Sequence, residues 1–157
     1  DTGKAKRILI LDLDVHQGNG TANIFKNNPN VFTCSVHGKN NYPFKKELSD
    51  FDLSLEDKCD DSTYLNKIEL LISKLHKKVN PDFIFYLCGV DVLESDKLGR
   101  LSLSKYGCRK RDELVLSYCK EKKIPVQCSM GGGYSKDLKI IIEAHANTYR
   151  IAKYLFT

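Results

Sequence analysis

Three side chains suited to holding a cation stand at alternate positions in the run Ile8-Leu-Ile-Leu-Asp-Leu-Asp-Val-His16: Asp12, Asp14 and His16. The apolar residues before them are short, branched and continuous, as in a strand buried on both faces. Alternate residues of a strand point the same way, so these polar groups would share one side while extended geometry lasts. Burying an unpaired carboxylate costs several kcal/mol, and a bound cation is the simplest compensation. A neutral imidazole beside carboxylate oxygens suits zinc or another first-row divalent ion better than calcium. On spacing alone the same residues serve equally as a strand end that caps the next helix. A second apolar run ends in Gly89-Val90-Asp91, which puts another carboxylate just past a strand end. Asp14, His16 and Asp91 together would leave a fourth position open, the pattern of catalytic rather than structural zinc; Asp91 by itself reads as a turn residue. Gly131-Gly-Gly-Tyr134 follows a third apolar run. Glycines admit close backbone approach to a ligand, and a phenol there could donate to a developing oxyanion. Read alone, that segment is a tight strand-to-helix turn.

The elements that must position these groups follow from periodicity. Residues 1–6 form a polar loop. Strands are expected at residues 7–14, 31–37, 83–88 and 124–130. Helices are expected at 21–27 (ended by Asn-Asn-Pro-Asn), at 64–79, from a cap at Ser102 or Ser104 to 121, and at 136–156. In residues 64–79 the apolar positions Tyr64, Leu65, Ile68, Leu71, Ile72 and Leu75 recur at helical steps. Residues 38–62, with seven acids between Glu47 and Asp61, read as a long irregular stretch. Buried strands alternating with amphipathic helices predict an α/β fold with a parallel sheet, and one site at the ends of its strands.

Composition narrows the function classes. With 157 residues, 41% of them hydrophobic, the chain can bury the core of one domain. The net charge of +5 is modest. Its Lys and Arg residues cluster at 74–78 and 109–123, inside expected helices, which argues for solvated helix faces and against direct nucleic-acid binding. No segment has the length and apolarity of a membrane span, and no signal peptide is visible. Six cysteines, at 34, 59, 88, 108, 119 and 128, form no Cys-x-x-Cys pair. Cys34, Cys88 and Cys128 fall inside expected buried strands, which fits reduced thiols in a cytoplasmic or nuclear compartment.

Asp12-Leu-Asp-Val-His-Gln-Gly-Asn-Gly-Thr21 resembles the signature of the histone deacetylase family, which has the arginase/deacetylase fold. Gln17 makes it most similar to class IV histone deacetylases and to bacterial histone deacetylase-like and acetoin utilization proteins. The run from Pro81 to Leu101, with Gly89-Val-Asp91 and Asp96-Lys-Leu-Gly99, resembles the family's second block, and Gly131–Tyr134 its third. The resemblance implies a three-layer α/β/α architecture and zinc held by Asp14, His16 and Asp91. It implies that Tyr134 polarises the scissile amide carbonyl with zinc, and that Leu98, Gly132 and Gly133 line an acyl-lysine channel whose mouth is shaped by Tyr42 or Phe44. It further implies a monovalent cation, usually potassium, on Asp12, the carbonyls of Asp14, His16 and Val36, and the hydroxyl of Ser35. Asn19 corresponds to the residue that steadies a catalytic His. Asp96 is read as structural and His145 as a helix packing residue.

The resemblance covers this chain nearly throughout, from about residue 6 to 156, yet only the C-terminal half of the family's domain. The family's His-His pair belongs upstream of the first strand, and no His precedes Asp12 here. The expectation is therefore that residues 1–157 are the C-terminal part of a single catalytic domain, with the N-terminal half as its partner and little activity alone. The expected function is zinc-dependent removal of acetyl or other acyl groups from lysine, with acyl-lysine protein or a small acetylated amine such as an acetylpolyamine as substrate. Two other readings stand beside it. Asp12-Leu-Asp-Val also resembles the aspartyl-phosphate signature of magnesium-dependent haloacid-dehalogenase-like phosphohydrolases, although His16 departs from that signature and magnesium prefers oxygen ligands. A truncated domain kept for binding alone is the other.

Overall fold

A computed structural model describes residues 3–157; the first two residues of the expected N-terminal loop lie outside it. The chain runs β1 (Ile8–Asp12), α1 (Asn19–Phe25), β2 (Val31–Gly38), β3 (Phe51–Leu55), α2 (Asp61–Lys78), β4 (Phe83–Leu87), α3 (Lys105–Glu121), β5 (Val126–Ser129) and α4 (Leu138–Phe156). The strands form one sheet in the order β3-β2-β1-β4-β5, parallel at every pairing. β1, apolar from Ile8 to Leu11, lies at its centre.

Crossovers between parallel strands are right-handed. The step from β1 to β2 through α1 runs one way along the sheet; the steps through α2 and α3 run the other. Helices from opposite steps lie on opposite faces, which gives the three layers. Leu9 and Leu11 of β1 pair in register with Ile84 and Tyr86 of β4, and all four are buried. The Tyr86 hydroxyl reaches Asp112 on α3, so this is the face that α3 covers. On the opposite face Ile8, Ile10 and Phe83 are half-buried and Phe85 is 38% exposed. Parallel sheets are ordinarily covered on both sides; here, among the described residues, α1 alone lies on that second face.

The helices start where capping chemistry permits. Asp60 accepts the Thr63 N–H at the start of α2, and Ser104 that of Gly107 at the start of α3. Tyr64, Ile68, Ile72 and Leu75 form the buried stripe of α2. None of the described helices is long and apolar enough to cross a membrane, and no two cysteines are bonded.

Three expectations are corrected. β1 ends at Asp12, not residue 14, because the next peptides turn onto side chains. The stretch 38–62 is not wholly irregular. Its Phe51-Asp-Leu-Ser-Leu55 alternates apolar with polar residues and forms edge strand β3, with Cys34 opposite Phe51 and Gly38 opposite Leu55. An edge strand needs only one ladder and one apolar face, so the acidic neighbours that suggested a loop do not prevent it. Finally, residues 109–123 are not simply a solvated face, because Arg111 and Asp112 are completely buried.

Candidate metal centre

The register of β1 and β4 sets Asp12 beside Leu87, so the turns leaving both strands emerge side by side. After β1 the chain folds onto its own carboxylates. Asp12 Oδ1 accepts the Asp14 N–H at 3.0 Å and Asp14 Oδ1 accepts the His16 N–H at 2.8 Å, two successive Asx turns. The neighbouring turn joins at Val15, whose N–H donates to Asp91 Oδ1 at 3.0 Å. These bonds bring three of the expected ligands together. His16 Nδ1 lies 3.0 Å from Asp14 Oδ1 and 3.2 Å from Asp91 Oδ2, and one donor atom from each residue falls within 4.8 Å of the others. Asp91 is completely buried, while Asp14 and His16 keep a solvent-facing side.

The cluster gathers three carboxylates about one imidazole. Burial, then the charge of Asp91, pushes the Asp14 carboxyl up to about 6. Burial pushes Asp12 up to about 7 against the hydrogen bond from the Asp14 N–H. The hydrogen bond to Asp91, then that to Asp14, pushes His16 up to about 9 against its burial. Burial thus dominates the two carboxyl shifts, and hydrogen bonds to the carboxylates dominate that of His16. One nitrogen and two carboxylates fit a first-row divalent ion, with the exposed side left for a further ligand.

Glycines pack against these carboxylates. A Cβ on Gly89 would lie 2.9 Å from the Asp14 Cα, and one on Gly132 would collide with the Asp91 carboxylate. Gly132 and Gly133 also have φ of +59° and +108°, which side chains disfavour. Gly132 lies against the Asp91 carboxylate, and Gly133 against Ile141, Val90 and His145. Tyr134 stands next to these glycines, about half exposed, its N–H donating to Asp96 Oδ2 at 2.6 Å. Asp96 Oδ1 accepts the N–H groups of Leu98 and Gly99, both at 2.8 Å. One carboxylate thus joins the loop after β4 to the loop after β5. Leu98 is exposed, and its carbonyl accepts from the Asn41 amide at 2.8 Å, which brings it to the loop carrying the exposed pair Tyr42 and Phe44. His145 packs beneath the glycine turn, with Nε2 3.4 Å from the Gly132 carbonyl.

Two of the residues expected to hold a monovalent cation are neighbours in the sheet. Asp12 lies directly across from Ser35 in the sheet, and the Gly18 N–H approaches the Ser35 hydroxyl at 3.4 Å. Val36 follows within β2. Among the described residues the carbonyls of Asp14 and His16 accept no hydrogen bond, as free oxygen ligands would. Asn19 opens α1, and its side chain bonds to none of the described residues.

Some functional support was not legible in the sequence. Gln17, read there only as a mark of one family branch, is buried. Its amide donates to the Glu47 carbonyl at 2.8 Å and to Asp52 Oδ1 at 3.0 Å, and its oxygen accepts the Glu47 N–H. Asn41 and the Arg111–Asp112 pair were also missed. A polar residue amid apolar helix positions was the available signal at Arg111.

A family model described as the histone deacetylase domain matches residues 1–149. The chain is 44% identical to an uncharacterised protein of Picosynechococcus sp., over 96% of this chain and 50% of that protein. It is 31% identical to histone deacetylase 2 of Arabidopsis thaliana, over 94% of this chain and 39% of the other, and 33% identical to histone deacetylase RPD3 of Saccharomyces cerevisiae, over 82% and 31%. Among solved structures, a histone deacetylase homologue from Aquifex aeolicus shares its fold with a TM-score of 0.80 at 22% identity, covering 96% of this chain and 42% of that one. An acetylpolyamine aminohydrolase from Burkholderia pseudomallei does so with a TM-score of 0.79 at 21% identity, covering 96% and 46%. The chain thus spans half or less of the length of these relatives.

Proposed function

The chain belongs to the histone deacetylase family, and from that footing we propose that it carries the metal-binding part of a zinc-dependent amidohydrolase that removes acetyl or related acyl groups from lysine side chains or small amines. The observation that carries this reading is the Asp14–His16–Asp91 cluster, within 4.8 Å and packed against by glycines of the turn that leads to Tyr134. Asp14, His16 through Nδ1, and Asp91 would hold the metal. When bound, it supplies Lewis-acid chemistry toward an amide carbonyl and the attacking water.

The remaining roles belong to this chain's own side chains. The Tyr134 phenol donates a hydrogen bond to the amide oxygen as negative charge develops there. Asp96 holds the Tyr134 backbone in place. Gly132 and Gly133 let the acyl end approach, while Leu98, Tyr42 and Phe44 give its aliphatic stem an apolar rim. Asp12, Ser35 and the carbonyls of Asp14, His16 and Val36 would hold a monovalent cation such as potassium.

Proton transfer needs a further group, and the other histidines are engaged elsewhere. His37 is buried between the hydroxyls of Ser35 and Ser54, His76 meets the Tyr118 hydroxyl, and His145 meets the Gly132 carbonyl. The proton-transfer groups therefore come from the part of the family's domain that lies beyond this chain's match, and the isolated chain turns over little or no substrate.

Elemental analysis after dialysis against trace metals tests the metal assignment. About one zinc per chain is expected, in this chain or in a form as long as its relatives; magnesium, or no metal in either form, overturns it. In the longer form, Tyr134→Phe is expected to keep zinc and lose about a hundredfold or more of turnover with an acetyl-lysine peptide. Unchanged turnover would remove Tyr134 from the chemistry.

A further inference from the structure

Arg111 and Asp112 sit in the middle of α3 and neither has any exposed surface. Nε donates to Asp112 Oδ1 at 2.9 Å, while Nη2 lies 2.8 Å from the same oxygen as an ion-pair contact without a hydrogen bond of its own. Asp112 also accepts the Tyr86 hydroxyl at 2.5 Å and the Thr148 hydroxyl of α4 at 2.6 Å. The free arm of the fork points toward the sheet. Its Nη1 donates to the Gly89 carbonyl at 2.6 Å and to the Leu13 carbonyl at 3.3 Å. Leu13 immediately precedes Asp14; Gly89 lies two residues before Asp91 and packs against the Asp14 backbone. One buried nitrogen therefore bridges the two turns that carry the two carboxylates.

A buried ion pair is a weak source of stability, since an apolar replacement of similar volume often does as well. Its use here is better explained by what it joins. We propose that Arg111, clamped by Asp112, is a positioning residue for the metal centre: it ties the Leu13 and Gly89 carbonyls together so that Asp14 and Asp91 keep their spacing before any metal binds. The inference rests on the metal-site reading above only for its purpose; the tie is a property of the metal-free chain. Lysine cannot reproduce it. An ammonium is a point donor with a single nitrogen, and cannot meet Asp112 through one nitrogen while another reaches both carbonyls.

Two variants of the whole chain separate positioning from general support. Arg111→Lys breaks the bridge. Thr148→Val removes a bond to Asp112 on the α4 side and leaves the bridge intact. The first readout is backbone amide hydrogen exchange in metal-free protein at Val15 and His16, whose N–H groups end on Asp91 and Asp14. In Arg111→Lys these two amides are expected to exchange about tenfold faster or more, as befits loosened bonds to charged acceptors, while Leu9 and Leu11 in β1 keep their protection. Zinc affinity, measured by competition with a chromophoric chelator, is expected to weaken by about 10–100-fold, the usual effect of losing a group that orients ligands. Thr148→Val is expected to lower Tm and change neither readout. Parent-like exchange at Val15 and His16 in Arg111→Lys overturns the proposal, as does a uniform rise across β1. If the lysine variant does not fold, Asp112→Asn, which weakens the clamp, is read by the same amides. A parent chain that binds no zinc would sink the metal reading, and the exchange comparison would still decide the role of Arg111.

Discussion

Asp96 is a small residue with a wide reach. Its two oxygens accept three backbone N–H groups, from Leu98, Gly99 and Tyr134. Asp96→Ala leaves all three without partners at a nearly buried site. A loss of about 3 kcal/mol is expected in urea denaturation, and a smaller one for Asp96→Asn, which keeps an acceptor. The cluster itself predicts a pH dependence. His16 holds its proton up to about 9 and Asp14 up to about 6, and both must be deprotonated to bind metal. Both values are raised, so protons compete with metal below them. Apparent zinc affinity is expected to rise about tenfold per pH unit from 6 to 9, more steeply below 6, and to level off above 9. Chelator competition across that range checks this; a flat profile would show that His16 is not a ligand.

At the scale of elements, the site exists because β1, β4 and β5 are parallel and end together. Parallel pairing aligns their C-terminal ends, where open α/β sheets bind ligands. The turns that follow can approach closely only where side chains are absent. Gly132 shows the requirement most plainly, with a left-handed backbone and the Asp91 carboxylate where its Cβ would be. Gly132→Ala is expected to cost about 1–2 kcal/mol from backbone strain alone. It should also weaken zinc binding by displacing Asp91. Denaturation together with metal competition reads both effects, and an alanine variant with parent affinity would mean the turn can move aside.

The whole molecule is covered unevenly. Three helices lie over one face of the sheet, and on the other the tilted rings of Phe83 and Phe85 pack with centroids 4.9 Å apart, Phe85 open to solvent. β5 is an edge strand with one partner. The relatives are at least about twice as long as the matched region, and in a form of that length this open surface would be available for the added segment to pack against. Phe85→Ser should change the stability of this chain by about 0.5 kcal/mol or less. In a form as long as the relatives it should cost about 3 kcal/mol or more, as for a buried aromatic. Paired denaturation curves make the comparison, and equal small losses would mean that the added length of such a form packs elsewhere.

Local signals carried much of this in the sequence. Short branched runs marked β1, β2, β4 and β5, three-and-four-residue steps marked α2, and carboxylates just past the strand ends marked Asp14, His16 and Asp91 as candidates. These were legible because each depends on residues near one another in the chain. The polar alternation of β3 was concealed by its acidic surroundings, and its strand exists because β2 offers a ladder. That Arg111 is buried, that Gln17 and Asn41 tie loops together, and that Asp96 holds Tyr134 became visible only in three dimensions. Each of these roles is set by a partner tens of residues away, and whether a polar side chain faces water or a buried carbonyl is decided by packing between elements, which no local pattern records.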